Sequence, residues 1–169
     1  MWKHRGQQRP DFAEPPGPGQ ESVWDYPRPP ILDPVQGVVE VFDGETTLAR
    51  TNDALRVLET ASPPTVYLPP TDVILDRLVP LRQTSFCEWK GAASYWARAH
   101  RPTEAIGWSY AQPTDTFRAI AGWFSFYPGR IRCLLAGEVV RPQGGGFYGG
   151  WVTDSIVGPW KGEAGTGGW

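Results

Sequence analysis

The sequence predicts a mostly β protein, a single compact domain of short antiparallel strands with one short helix and extended termini. Its apolar runs are short and interrupted by proline and glycine, and an Asp-Gly turn signal lies between two of them. Aromatic residues make up 13% of the 169 residues, and nine of them are tryptophan. A chain of this length and composition can bury a core of its own.

The composition divides the chain into three segments. Eight of the 18 prolines lie in residues 1–34, and ten of the 20 glycines lie in residues 142–169. We therefore expect a mobile Pro-rich arm over residues 1–22, a β domain over 23–141 and a Gly/Trp-rich tail over 142–169. We expect part of the tail to dock, on its own domain or on a partner, because a flexible linker needs no large aromatic side chains. The tail carries five, Phe147, Tyr148, Trp151, Trp160 and Trp169.

The first part of the β domain contains a strap and a hairpin. Residues 23–30 place two aromatic side chains beside proline-fixed backbone, which we interpret as a packing strap across the domain surface. The Asp-Gly pair at 43–44 predicts a β-hairpin with strands over 35–42 and 45–49. Residues 54–60 fit both a short helix and a strand, and both interpretations stay open.

The second part of the domain is predicted to consist of strands around one short helix. Two diproline pairs limit residues 65–68 to a short strand at a sheet edge. Thr114 is a candidate N-cap for a helix that ends near Gly122. The remaining predicted strands are 84–91, 92–98, 104–110, 123–127 and 130–135, of which the last two form a pair around residues 128–129.

Charge and cysteine content exclude several classes of function. The net charge is −2, so no overall field attracts nucleic acid or anionic membranes, and we expect neither partner. No apolar run approaches the roughly 20 residues of a membrane span, and the first residues lack the apolar stretch of a signal peptide, so we expect a cytoplasmic protein. Two cysteines and two histidines without close spacing make no zinc site, and we expect no metal and no cofactor.

Lys90 is the residue whose chemistry the sequence singles out. The chain has three lysines, and Lys90 alone lies within the β region, beside Trp89. A lysine shielded by aromatic rings can bind an anion or form a Schiff base, whereas an exposed one would pair with Glu59 or Glu88. Cys87 is a small apolar core residue or a nucleophile, but on a regular strand it faces away from Lys90 and would need a loop or bulge to reach it. Both residues are candidate catalytic residues.

Five ordered motifs between about residues 21 and 131 resemble domain-of-unknown-function family 427. The tail from residue 149 to 169 resembles an extension of some members, the long form of the family. The motifs are Val-Trp-Asp-Tyr-Pro-Arg-Pro-Pro at 23–30, Ala-Leu-Arg-Val-Leu-Glu-Thr at 54–60, Val-Tyr-Leu-Pro at 66–69, Cys-Glu-Trp-Lys-Gly at 87–91 with Ala-Ser-Tyr-Trp at 93–96, and Trp-Ser-Tyr at 108–110.

The resemblance implies a single tent-like (Mss4-like) β domain, similar in outline to methionine sulfoxide reductase B. Proteins with these folds often hold zinc through paired cysteines, which this chain lacks. The family is also labelled nucleotidyltransferase-like. Metal-dependent nucleotidyl transfer needs converging carboxylates, commonly an Asp-x-Asp pair. The chain has none, since Asp72 and Asp76 are four residues apart, so this activity is kept only as an alternative.

We predict a monomer or homodimer with a pocket between its sheets that binds a small polar or anionic molecule. Lys90 would be the charge partner and aromatic rings the walls. The alternatives are a protein-interaction module that uses the terminal arms, and an enzyme that uses Cys87 or Lys90. The predicted ligand-binding residues are Glu59, Tyr67, Lys90, Tyr95, Trp96, Trp108 and Tyr110.

Overall fold

A computed structural model describes residues 2–169, which form a mostly β domain of short strands, as the sequence predicts. The helical parts of these residues are short 3₁₀ segments, Val23–Asp25, Pro70–Asp72, Leu75–Arg77 and Asp115–Ile120. The strands are β1 (Glu21–Ser22), β2 (Ile31–Pro34), β3 (Val39–Asp43), β4 (Thr46–Thr51), β5 (Leu55–Leu58), β6 (Thr65–Tyr67), β7 (Leu78–Cys87), β8 (Gly91–Arg98), β9 (Gly107–Ser109), β10 (Phe124–Phe126), β11 (Arg132–Leu135), β12 (Glu138–Val139), β13 (Arg141–Pro142), β14 (Trp151–Val152) and β15 (Ile156–Val157).

Two four-stranded antiparallel sheets form the centre of the fold, with strand orders β12-β11-β3-β4 and β10-β9-β8-β7. A three-stranded sheet has the order β2-β5-β6, and a β-bridge between Leu68 and Phe124 connects its edge to β10. Two short pairs, β1-β15 and β13-β14, include the terminal segments. The β1-β15 pair is parallel, whereas the other pairs are antiparallel.

The predicted hairpin is confirmed by the pairing of β3 with β4, but its two-residue turn is Gly44-Glu45 and not Asp43-Gly44, because Asp43 is the last residue of β3 and pairs with Thr46. Gly44 has a φ of 62°, the left-handed conformation that this turn requires. Val39 and Val41 are fully buried and alternate with half-buried Glu40, which is the pattern of a strand with one face on the core. The segment that fitted both a helix and a strand forms β5, because β2 and β6 hydrogen-bond to it on both sides.

The predicted pairing of residues 123–127 with 130–135 is wrong. Both segments contain a strand, but β10 pairs with β9, whereas β11 pairs with β3 and β12. The turn between them, closed by a bond from the Arg130 amide to the Tyr127 carbonyl at 2.9 Å, carries the chain from one four-stranded sheet to the other. Apolar pattern alone does not tell a hairpin from such a crossing.

The sheet that contains β8 separates two apolar cores. Tyr95 and Trp108 are cross-strand neighbours and face one core together. Trp96, the next residue along β8, faces the other core and packs against Phe124 with 5.1 Å between ring centres. Because successive side chains of a strand point to opposite faces, the two cores have separate sets of lining residues.

The tail packs into the β domain. Trp151 is 2% exposed and donates from Nε1 to the Phe126 carbonyl at 3.0 Å. Trp24, in the predicted strap, is fully buried, donates from Nε1 to the Pro159 carbonyl at 2.9 Å and has its ring 5.3 Å from that of Trp169. The strap is thus covered by the tail and lies inside the fold.

The N-terminal arm lies along the same region. Arg9 forms an ion pair of 2.7 Å with Asp25, and the Glu14 amide donates to the Gly158 carbonyl at 2.8 Å. The mobility of residues 1–22 and the tent-like classification both stay predictions. Within residues 2–169, no helix is both long enough and apolar enough to cross a membrane.

Candidate ligand-binding site

A cavity of about 270 Å³ lies on the Tyr95 side of the β8 sheet. Its buried wall is aromatic and includes Tyr67, Tyr95, Trp108 and Tyr110. Trp108 donates from Nε1 to the Tyr67 hydroxyl at 3.2 Å, with the two rings perpendicular. Burial raises the pKa of Tyr67 and Tyr110, so both hydroxyls keep their protons at neutral pH and can donate hydrogen bonds.

Lys90 enters this cavity from the turn that joins β7 to β8. Gly91 closes the turn with a φ of 101°, a conformation that side-chain-bearing residues rarely adopt. Thr114 holds the turn from outside, since its amide donates to the Lys90 carbonyl at 3.1 Å and its hydroxyl to the Trp89 carbonyl at 2.7 Å. Thr114 precedes the 3₁₀ segment as predicted, but its side chain makes no capping bond to that segment.

The Lys90 side chain is buried among aromatic rings. The residue is 8% exposed, and its Nζ lies 5.8 Å from the ring centres of both Tyr110 and Phe117. Burial lowers the pKa of the ammonium, but the neighbouring Tyr67, Cys87 and Glu59 raise it more, so this pKa stays above its usual value. Lys90 is therefore a buried, protonated cation at neutral pH.

The interpretation of Lys90 as an exposed strand residue paired with Glu59 or Glu88 is wrong. The ion pairs among residues 2–169 all take their cation from arginine or histidine. Glu59 lines the cavity, but its carboxylate pairs with Arg28 at 3.3 Å. Arg28 is 7% exposed and is held by a bond to the Thr60 carbonyl at 2.8 Å. Glu59 therefore acts on Lys90 only through space, and Lys90 has no direct ion pair with a carboxylate among residues 2–169.

The same turn brings Cys87 to the cavity. Residues 88–90 form a turn and not a continuation of β7. Cys87 and Lys90 are therefore not on one regular strand, and their side chains can face the same cavity. Cys87 is a free, half-buried thiol that lines the cavity, with the Lys90 ammonium and the Tyr110 hydroxyl near its sulfur. Cys133, in contrast, is fully buried in the other core, and burial raises the pKa of its thiol.

Trp96 is the predicted ligand-binding residue that the structure does not bring to the cavity. Its side chain is on the opposite face of the sheet, where Nε1 donates to Ser109 Oγ at 2.9 Å. The prediction grouped Trp96 with its neighbour Tyr95, although adjacent residues of a strand face opposite ways. The other six predicted residues all line the cavity, and so does Cys87.

Lys161, in the tail, is a lining residue that the sequence prediction missed. It is 7% exposed, and its Nζ lies 4.4 Å from the ring centre of Trp2 and 5.3 Å from that of Tyr148. Its amide donates to the Ala61 carbonyl at 2.8 Å, and its carbonyl accepts a bond from the Gln143 side chain. The tail therefore places a second buried lysine beside the same cavity as Lys90.

A signal for Lys161 was present in the sequence. The tripeptide Trp-Lys-Gly occurs at 89–91 and again at 160–162, and both of its lysines line the cavity. A three-residue match is close to chance and indicates nothing alone.

The structure also leaves Trp89 Nε1 buried without a hydrogen-bond acceptor among residues 2–169. Within the same residues, no group of three or more His, Cys, Asp or Glu side chains could hold a metal ion.

The fold and the cavity define a mostly β domain with an aromatic-walled pocket that contains two buried lysines. The sequence pattern described as Domain of unknown function (DUF427) matches residues 31–137, which is more than half of the chain. The chain belongs to this family, and the predicted resemblance is confirmed. No curated protein matches the chain. Trp2, Tyr148 and Lys161 lie outside the matched residues, so the terminal segments complete a pocket whose other walls belong to the family domain.

Proposed function

We propose that the protein binds a small anionic molecule in this cavity, with Lys90 as the charge partner. The observation that carries the proposal is the convergence of two buried lysines, Lys90 and Lys161, on one small cavity. Neither forms an ion pair with a carboxylate among the described residues. A bound anion would supply the direct ion pair that neither buried ammonium group has within these residues.

Other groups around the cavity also suit an anion. Trp89 Nε1 is a buried donor without an acceptor among residues 2–169, and the hydroxyls of Tyr67 and Tyr110 keep their protons. The Glu59 carboxylate is paired with Arg28 and therefore opposes an anion less than a free carboxylate would. The exposed Glu88 also lines the cavity, so the lining carries two carboxylates and two ammonium groups. The buried donors beside Lys90 favour a ligand rich in acceptors.

The protonation of Lys90 supports binding rather than amine chemistry. A lysine acts as a nucleophile, for instance in a Schiff base, when its pKa is depressed and the free amine is populated. The pKa of Lys90 is raised instead, so the ammonium form dominates at neutral pH. Catalysis by Cys87 or Lys90 stays an alternative prediction.

Cys87 offers a direct measurement of anion binding. Its thiol lines the cavity, so we expect sodium phosphate or sodium acetate to slow its modification by iodoacetamide in a saturable manner. Lys90→Met keeps the length of the side chain but removes the charge, and should abolish the protection. Lys3→Met removes the same charge from an exposed residue outside the cavity, and should leave the protection intact.

Cys133 is the internal control, because its buried thiol should stay unmodified as long as the protein is folded. Protection should also weaken in Lys161→Met, which removes the second ammonium. The proposal is contradicted if neither anion slows the modification of Cys87, or if Lys90→Met is protected as well as the unmodified sequence.

A further inference from the structure

The mouth of the cavity carries exposed aromatic side chains. Phe86 is 78% exposed, Phe147 is 64% exposed and Tyr148 is 42% exposed, and all three line the cavity. The rings of Phe147 and Tyr148 form an edge-to-face pair with centres 5.2 Å apart. Large apolar side chains gathered around a cavity entrance mark a place where an apolar group binds.

The exposure of these rings is not due to a loose backbone. Phe86 lies in β7 and pairs with Ala92 of β8, so its ring is held out on a hydrogen-bonded strand. The Phe147 carbonyl accepts a bond from the Tyr127 hydroxyl at 3.4 Å, and the preceding carbonyl, of Gly146, accepts one from Arg130 at 2.9 Å. One exposed ring thus comes from the family domain and the other from the tail.

The cavity then has two chemical zones. The inner zone contains the buried ammonium of Lys90 and the tyrosine hydroxyls, and the outer zone contains the exposed rings of Phe86 and Phe147. The volume of about 270 Å³ is slightly below the range of about 300–1,000 Å³ that is typical of pockets for drug-sized ligands. A ligand that fills both zones is therefore small, charged at one end and apolar at the other.

We infer that the ligand is an aryl anion, a single aromatic ring that carries a carboxylate or phosphate group. The inference rests on the proposed anion-binding function and adds the identity of the uncharged part. The anionic group lies against Lys90, and the ring lies between Phe86 and Phe147. The exposed rings of Phe86 and Phe147 at the mouth therefore select the ligand by its ring, while the buried lysines select it by its charge.

The test compares matched pairs of anions with and without a ring. We expect phenyl phosphate to bind about tenfold more tightly than inorganic phosphate, and benzoate about tenfold more tightly than acetate, as measured by isothermal titration calorimetry. Tighter binding of the phosphate pair would identify the anionic group as a phosphate, and tighter binding of benzoate and acetate would identify it as a carboxylate. In the double variant Phe86→Ser, Phe147→Ser, the ratio of the two dissociation constants should fall toward one. Leu75→Ser changes an equally apolar residue that is 49% exposed outside the cavity, and should keep the ratio.

The outcomes separate this inference from the function on which it rests. If simple anions bind in a Lys90-dependent way but the ring adds no affinity, the aryl inference is overturned and the anion-binding function stands. A ring effect that persists in the double variant also overturns the inference, because the ring then binds elsewhere. If no anion of either pair binds, or Lys90→Met binds them all normally, the proposed function fails as well.

Discussion

The guanidinium of Arg98 donates from Nε to Asp43 Oδ1 at 2.8 Å, and this ion pair joins the two four-stranded sheets. Asp43 is the last residue of β3 and Arg98 is the last residue of β8. His100 lies 2.7 Å from the other carboxylate oxygen, and Arg98 also donates to the Arg130 carbonyl at 2.9 Å. The side chains of Arg98 and Asp43 are only 16% and 17% exposed, so water screens their attraction less than that of a surface pair.

Asp43→Asn should therefore lower the free energy of unfolding by about 1–2 kcal/mol, because hydrogen bonds to a charged acceptor are lost at a shielded position. Asp115→Asn is the matched control, since its ion pair with Arg118 is almost fully exposed. The control should leave the free energy of unfolding nearly unchanged. Urea denaturation measures both, and equal effects of the two variants would refute the structural role of the Asp43 pair.

The contribution of Asp43 should depend on pH. Burial raises the pKa of this carboxyl, but the bonds from His100 and Arg98 lower it more, so its folded-state pKa is below the usual 3.8. Its stabilisation is thus present above pH 3.8 and is lost as pH falls through the folded-state pKa. The difference in unfolding free energy between the unmodified chain and Asp43→Asn should shrink in acid. A difference that stays constant down to about pH 2 would contradict this.

Trp2 should act as a wall of the cavity. Its ring contacts two cations, with Lys161 Nζ at 4.4 Å and Arg28 Cζ at 4.3 Å from the ring centre. We expect Trp2→Ala to lower the free energy of unfolding by about 1–2 kcal/mol, because the two cation–π contacts are lost. The same change should speed the alkylation of Cys87 by iodoacetamide. Phe12→Ala removes an N-terminal aromatic ring that does not line the cavity, and should leave the rate unchanged. Equal rates in the unmodified chain and Trp2→Ala would argue against a lining role.

Gly149 should tolerate no side chain, because a Cβ there would collide with the Trp108 ring. Gly149→Ala should destabilise the fold by about 1–3 kcal/mol, as overpacking of a close contact does. Gly168→Ala is the control, since nothing lies within 4 Å of the added carbon and its φ is not in the left-handed region. Thermal or urea unfolding compares the two variants. A Gly149→Ala variant as stable as Gly168→Ala would mean that the tail does not lie against Trp108.

The tail should resist proteolysis. Lys161 is buried and its amide is hydrogen-bonded to the domain, whereas Lys3 is exposed. A protease reaches a site only when the local backbone opens, so trypsin should cleave after Lys3 well before Lys161. Mass spectrometry of the early fragments measures the order. Early cleavage after Lys161 would instead support a tail that docks on a partner.

Much of the local structure could be predicted, because turn chemistry and side-chain alternation act between near neighbours. Gly44 specifies the hairpin turn through its positive φ, and the apolar alternation around Val39 and Val41 specifies the buried face. The same alternation places the side chains of Tyr95 and Trp96 on opposite faces of β8, so it excludes Trp96 from a cavity that Tyr95 lines. The partners of β10 and β11 were not predictable, because the choice depends on strands far away in the chain.

By itself, the sequence determined a mostly β domain of a recognisable family, and six of the seven residues that it predicted to bind a ligand line the cavity. Only the tertiary structure decided that Cys87 and Lys90 share that cavity, because the turn at 88–90 depends on Thr114, which is distant in sequence. It also brought Lys161 to the site from the tail. Local preferences act over a few residues, whereas the composition of a cavity depends on which distant segments pack together.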